Sequence, residues 1–259
     1  MAESEKSSDL EKKSDNHKEQ HNELVFSYLT LRNLIGFSGL LLPAVLSLFP
    51  RRSSEFYGFE PSISDYFYTD RGDILVVVLC ILGTLLITYK GYDWKEQLLT
   101  GIAGICGMGV AFVPTKKDCL ACDLSVHTGS GGVFDFIAGR WWHFGFAAVF
   151  LFCLAIMSLV FFTKKHPSTD IKSFDGSLTQ KGKRNIVYKV CGWVMIASLA
   201  IMGIYFISGY RFKKIPFIFI FESIAVIAFG ISWLTKGQTL WPDGEHYITR
   251  KIKRAKEFL

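Results

Sequence analysis

The chain has 259 residues, of which half are apolar and 15% aromatic, and it carries a formal net charge of +6. Its mean hydropathy is +0.28. The apolar residues are blocked into long runs instead of being spread periodically, which excludes an ordinary soluble domain and points to lipid as the solvent. The hydrocarbon core of a bilayer takes about 20 mostly apolar residues per helix.

In chain order, residues 1–24 open with a polar, charged stretch with no apolar run, read as a disordered cytoplasmic tail with no cleavable signal. Residues 25–238 are expected to form one all-α domain, a polytopic bundle of six transmembrane helices. The spans fall at about 31–49, 74–89, 98–114, 141–162, 188–208 and 216–234. Pro43 is expected to kink the first span. Gly101, Gly104, Gly107 and Gly109 in the third are expected to let backbones approach closely. The loop between spans 5 and 6 is short enough to make them neighbours. Tyr89, Tyr92, Trp94, Trp141 and Trp142 fall where interfacial aromatics are expected. Residues 239–259 form a basic cytoplasmic tail suited to anionic headgroups.

With six spans, both termini share one side. That side holds 20 of the 29 Lys and Arg residues, and the other holds 9, so the positive-inside rule places both termini in the cytoplasm. The expected location is the cell membrane, the inner membrane if the source is bacterial. The net charge needs no nucleic acid to explain it, and no zinc-finger, helix-turn-helix or RNA-binding signature is present. The partners implied are membrane lipids, with a partner membrane protein or a second copy as further options.

Four residues are candidates for chemistry. Glu222 lies seven residues into span 6, where an ionisable side chain is a functional candidate by default and a hydrogen-bonded structural acid is the plain alternative. His143 opens span 4 and is the one histidine inside any span. Asp65 and Asp73 flank the entry to span 2 at the same membrane level. Convergence of Asp65, Asp73, His143 and Glu222 would suit a divalent ion such as zinc, or a polar headgroup. The plain alternative for Ser64 and Asp65 is the capping of a short helix or turn. Cys119 and Cys122 form a C-x-x-C pair, expected first as a small disulfide loop, with metal and redox roles as alternatives. Phosphate-loop, nucleophile-elbow and zincin motifs are absent.

The segment Pro61-Ser62-Ile63-Ser64-Asp65, the Trp142-His143-Phe144 opening of span 4 and the stretch Phe229 to Gly237 with Glu222 upstream resemble a known superfamily. It comprises the damage-regulated autophagy modulators and the factors that remodel GPI-anchor lipids, and the likeness is nearest to uncharacterised bacterial members. The resemblance implies a six-helix bundle and a link to lipids or membrane organisation, and no agreed reaction. Three activities follow as expectations: a lipid- or partner-recognising sensor, scaffold or organiser; an intramembrane metal-dependent hydrolase or lipid-remodelling enzyme using His143, Glu222 and Asp65; and a proton-coupled transporter using Glu222.

Overall fold

A computed structural model of the chain describes residues 28–48, 59–114, 140–164, 179–208 and 215–240. Residues 1–24, 241–259 and the pair Cys119 and Cys122 lie outside the described residues, and so does the expected disulfide.

The described residues are all-α. Helix α1 spans Tyr28–Ser47. A five-residue 3-10 helix, Ser64–Tyr68, leads into α2, Gly72–Thr88. Then come α3, Trp94–Phe112, and α4, Arg140–Ile156, which continues through a π-helical turn, Met157–Phe161. Helices α5, Gln180–Ile207, and α6, Phe217–Lys236, complete the set. Each expected span coincides with one helix. Four of them, α1, α4 with its π turn, α5 and α6, are long and apolar enough to cross a membrane. Helix α2 is equally apolar but has 17 residues. Helix α3 begins with the polar turn Trp94-Lys95-Glu96-Gln97.

Several helices outrun their apolar stretches. Helix α5 starts at Gln180, eight positions before the greasy run, because Thr179 accepts a hydrogen bond from the Gly182 N–H and caps the extra turns. Helix α1 runs through Pro43 as one element. Consecutive helices pack as neighbours, α2 with α3, α3 with α4, α4 with α5 and α5 with α6. One buried core runs through the bundle, with Ile35 of α1, Leu86 of α2, Leu154 of α4, Met195 of α5 and Phe229 of α6. A second cluster at one end joins Leu42 and Leu46 of α1 to Leu75 and Leu79 of α2, Ile63, Tyr66 and Phe219.

Glycines set two of the closest approaches. A Cβ on Gly83 of α2 would meet the Gly104 carbonyl oxygen of α3 at 2.8 Å, and one on Gly104 would meet that of Gly83 at 2.5 Å. A Cβ on Gly230 of α6 would lie 2.7 Å from the Leu40 backbone nitrogen of α1 and 2.8 Å from the Gly36 oxygen. Lipid supplies no hydrophobic drive between helices, so this backbone contact is what small residues contribute. In α3, Gly107 and Gly109 receive the Phe150 and Phe146 rings of α4, whereas Gly101 has open space around it.

The close approach at Gly230 and the open space at Gly101 predict a contrast. Gly230→Val should destabilise the purified protein by about 1–3 kcal/mol through overpacking, while Gly101→Ala should leave it within about 0.5 kcal/mol. Thermal unfolding in one neutral detergent measures both. Equal effects at the two positions would remove the packing role assigned to Gly230.

Candidate functional site

The polar residues at the Ser64 end of the bundle are organised by one short segment. After Pro61, the chain bonds first to α6 and then, from the start of the 3-10 helix, to α4. Glu222, on α6, turns its carboxylate to this segment: Oε2 accepts the Ile63 N–H at 2.6 Å and the Ser62 hydroxyl at 2.9 Å. Ser62 Oγ in turn accepts the Ser64 N–H at 3.1 Å. The Pro61 carbonyl accepts the Phe219 N–H at 2.9 Å, satisfying one of the orphan donors in the first turn of α6. The Phe219 ring lies 5.5 Å from Phe59 and 5.8 Å from Tyr66, closing the apolar side. Burial pushes the Tyr66 phenol above its usual range.

The other anchor is His143 on α4, 2% exposed. Its Nδ1 lies 2.6 Å from the Val113 carbonyl oxygen, and its Nε2 lies 2.8 Å from Ser64 Oγ. A carbonyl can only accept, so Nδ1 carries the proton. In the neutral ring Nε2 is then the acceptor, and the Ser64 hydroxyl donates to it. The histidine therefore ties the end of α3 to the segment before α2, and the two ring nitrogens are both engaged.

Behind the segment, Gly72 opens α2 against the Phe67 carbonyl, with no room for a side chain. The Arg71 guanidinium donates to the Leu46 carbonyl, satisfying one of the last carbonyls of α1. The Thr69 hydroxyl donates to the Tyr66 carbonyl at 2.7 Å and accepts the Arg71 N–H at 3.2 Å. Local hydroxyl bonds thus fix the turn between the 3-10 helix and α2.

Glu222 and His143 meet the same five residues through Ser62 and Ser64, and neither is bonded to Asp65 or Asp73. Asp65 lies in the first turn of the 3-10 helix and within the electrostatic field of Glu222. Asp73 is exposed in the first turn of α2, where a carboxylate is favoured by the helix dipole. Among the described residues, no three His, Cys, Asp or Glu side chains gather as a metal-ligand set. The capping expected of Ser64 takes another form. The 3-10 helix has Ile63 at its N-cap with no side-chain cap bond, and the Ser64 hydroxyl goes to His143 instead.

The second polar centre, at the opposite end of the bundle, is one that the sequence had placed at the membrane surface. Tyr89 is fully buried, not interfacial. It stacks on Tyr28 at 5.5 Å and meets Trp233 edge-on at 5.0 Å. Its hydroxyl donates to Glu96 Oε1 at 3.2 Å and accepts from Arg32 Nη2 at 3.2 Å. Tyr92, Trp94 and Trp142 are exposed, as interfacial residues should be.

Replacing Glu222 tests the clasp. Glu222→Leu leaves the Ile63 N–H without its acceptor, at a cost of about 1–3 kcal/mol, and should speed amide exchange at Ile63 by at least about tenfold. Glu222→Gln keeps an acceptor oxygen and should preserve most of the protection. Unchanged exchange in Glu222→Leu would show that the bond does not hold the segment. No family model, no curated protein and no solved structure matches this chain, so the geometry of the residues alone carries the account of its function.

Proposed function

We propose that the chain is a six-span integral membrane protein, both ends cytoplasmic, that recognises a lipid at its bundle without transforming it. All six helices turn apolar residues outward. On α2 these are Ile74, Val77, Ile81 and Ile87, and on α3 Leu98, Ile102, Ile105 and Phe112. A soluble monomer rarely exposes so much contiguous apolar surface, whereas lipid chains cover it without cost. That pattern supports a membrane position for α2 and α3 as well as for the four longer helices. At ~1.5 Å per residue α2 reaches ~26 Å, slightly short of a ~30 Å hydrocarbon layer.

The observation that carries the recognition reading is the engagement of both His143 ring nitrogens and of Glu222 Oε2. Their polar atoms hold the Pro61–Asp65 segment onto α4 and α6. Deep ionisable groups bonded in this way fix the shape of a surface instead of standing ready to exchange protons.

A second reading rests on one contact. Ser64 Oγ and His143 Nε2, at 2.8 Å with Nδ1–H pinned to Val113, have the separation and tautomer of a nucleophile and its base. That pair would suit acyl transfer from a lipid ester. The nearby backbone donors weigh against it. The Ile63 N–H goes to Glu222, the Ser64 N–H to Ser62 Oγ and the Asp65 N–H to the Ser62 carbonyl, so none is free to stabilise an oxyanion.

Two measurements on the detergent-purified protein separate the readings. Recognition predicts a co-purifying lipid in native mass spectra and no label from a serine-reactive fluorophosphonate. A lipid-free protein that takes up the label, and loses it in Ser64→Ala, would replace recognition with acyl transfer.

A further inference from the structure

The height of the apolar surface can be read along helices α2 to α5, because exposed polar residues mark where it stops. On α2 the exposed apolar residues run from Ile74 to Ile87. Asp70 and Asp73 are exposed beyond one end, and Lys90 is exposed beyond the other. At ~1.5 Å per residue this belt is ~20 Å high. On α3 the exposed apolar residues run from Leu98 to Phe112, ~21 Å, with Lys95 and Gln97 exposed just before them. The belt is ~27 Å from Trp142 to Val160, along α4 and its π turn, and ~26 Å from Val190 to Ile207 on α5. Lys164 is exposed beyond the former, and Lys189 and Ser208 flank the latter. Tilting a helix only lowers its height along the membrane normal, so each length is a ceiling. All four fall short of a ~30 Å hydrocarbon core, and the α2–α3 face falls short by roughly a third.

The two shorter belts cannot gain height by sliding past their neighbours. At one end the Asp93–Lys164 ion pair joins the turn between α2 and α3 to the end of the π turn. The Lys236 ammonium of α6 rests over the Tyr92 and Phe162 rings there, at 5.3 and 5.0 Å. At the other end His143 of α4 holds the end of α3 through Val113 and the segment before α2 through Ser64. Gly83 against Gly104 sets α2 on α3. A full-length acyl chain beside α2 would therefore reach past the belt to its charged ends. Lys90 has a stem long enough to return its ammonium to water, and the short Asp73 side chain does not. Burying that carboxylate is costly, and local thinning of the bilayer avoids the cost.

We propose that the bundle is fitted to a thin bilayer, and that its α2–α3 face gathers phospholipids with short acyl chains and thins the membrane beside it. Each ångström of mismatch costs little, yet the sum sorts lipids around a protein and proteins among membranes. The inference deepens the recognition reading and rests on the six-span placement of α2 and α3. It names the recognised lipid by chain length, whatever its headgroup.

The test reconstitutes the full chain in brominated dioleoyl phosphatidylcholine, which quenches exposed tryptophans such as Trp142 and Trp193. Recovery of fluorescence on adding dimyristoleoyl, dioleoyl or dierucoyl phosphatidylcholine gives the relative affinity for each chain length. The dimyristoleoyl lipid should bind at least about threefold more tightly than the dierucoyl lipid. Asp73→Leu combined with Thr88→Leu lengthens the α2 belt by ~3 Å and should cut that ratio by about half. Thr84→Leu fills the belt without lengthening it and should keep the ratio. Equal affinity for the three lipids, a preference for the longest, or the same response in Thr84→Leu and the double variant would overturn the proposal. In the same vesicles Ile81→Cys should gain no label from a water-soluble maleimide over the parent chain. Protection at that position without a chain-length preference would leave the six spans standing and remove the thin-bilayer fit, whereas labelling would remove both.

Discussion

The Glu222 carboxylate and the backbone N–H of Ile63 form the bond on which the Ser64 end of this protein depends. In lipid every buried polar group must find its partner inside the chain. A carboxylate this deep in α6 and the peptide groups of an irregular segment would each be costly alone. Together they satisfy one another, and Ser62 adds a second donor to the same oxygen. The segment is then held on α6 and brings Ser64 to His143 of α4. With it in place, Phe219, Tyr66, Leu42, Leu46, Leu75 and Leu79 close into one apolar cluster, and α1, α2 and α6 share a common end.

Packing along the bundle follows from a different constraint. Apolar side chains facing lipid gain nothing by turning inward, so helix association rests on close fit and on interhelical hydrogen bonds. The fit is made by Gly83 against Gly104 and by Gly230 against Gly36 and Leu40. The hydrogen bonds include the Ser158–Ser232 hydroxyl pair between the π turn after α4 and α6. The far end uses aromatic rings and charge, with Tyr89 touching α1, α3 and α6 through Arg32, Glu96 and Trp233. The two ends thus differ in chemistry, one built on a carboxylate, an imidazole and hydroxyls, the other on aromatic rings with Arg32 and Glu96.

Much of the fold was legible in the sequence, because an apolar run of span length admits little besides a helix. All six helix positions follow from those runs. The boundaries do not, since a helix continues past its greasy stretch wherever a cap such as Thr179 satisfies its first N–H groups. Glu222 and His143 could be found because ionisable residues inside spans are rare. Of their partners, Ser64 could be assigned only as a capping residue and Ser62 had no assigned role, because a serine's long-range bond leaves no local pattern. The cluster of Arg32, Tyr89, Glu96 and Lys236 was hidden for a related reason. Each member lies near the end of a span, where charged and aromatic residues ordinarily face the headgroups, and only the arrangement of the helices turns them inward onto one another.

The bond between Ser62, Ile63 and Glu222 is the claim most open to direct measurement. A double-mutant cycle with Ser62→Ala and Glu222→Leu, read as unfolding free energy in mixed detergent micelles, isolates the energy that the two residues share. The account predicts a non-additive pair, with a coupling of about 0.5–2 kcal/mol. Strict additivity would mean that the two side chains do not meet, and the clasp that organises this end of the bundle would not exist.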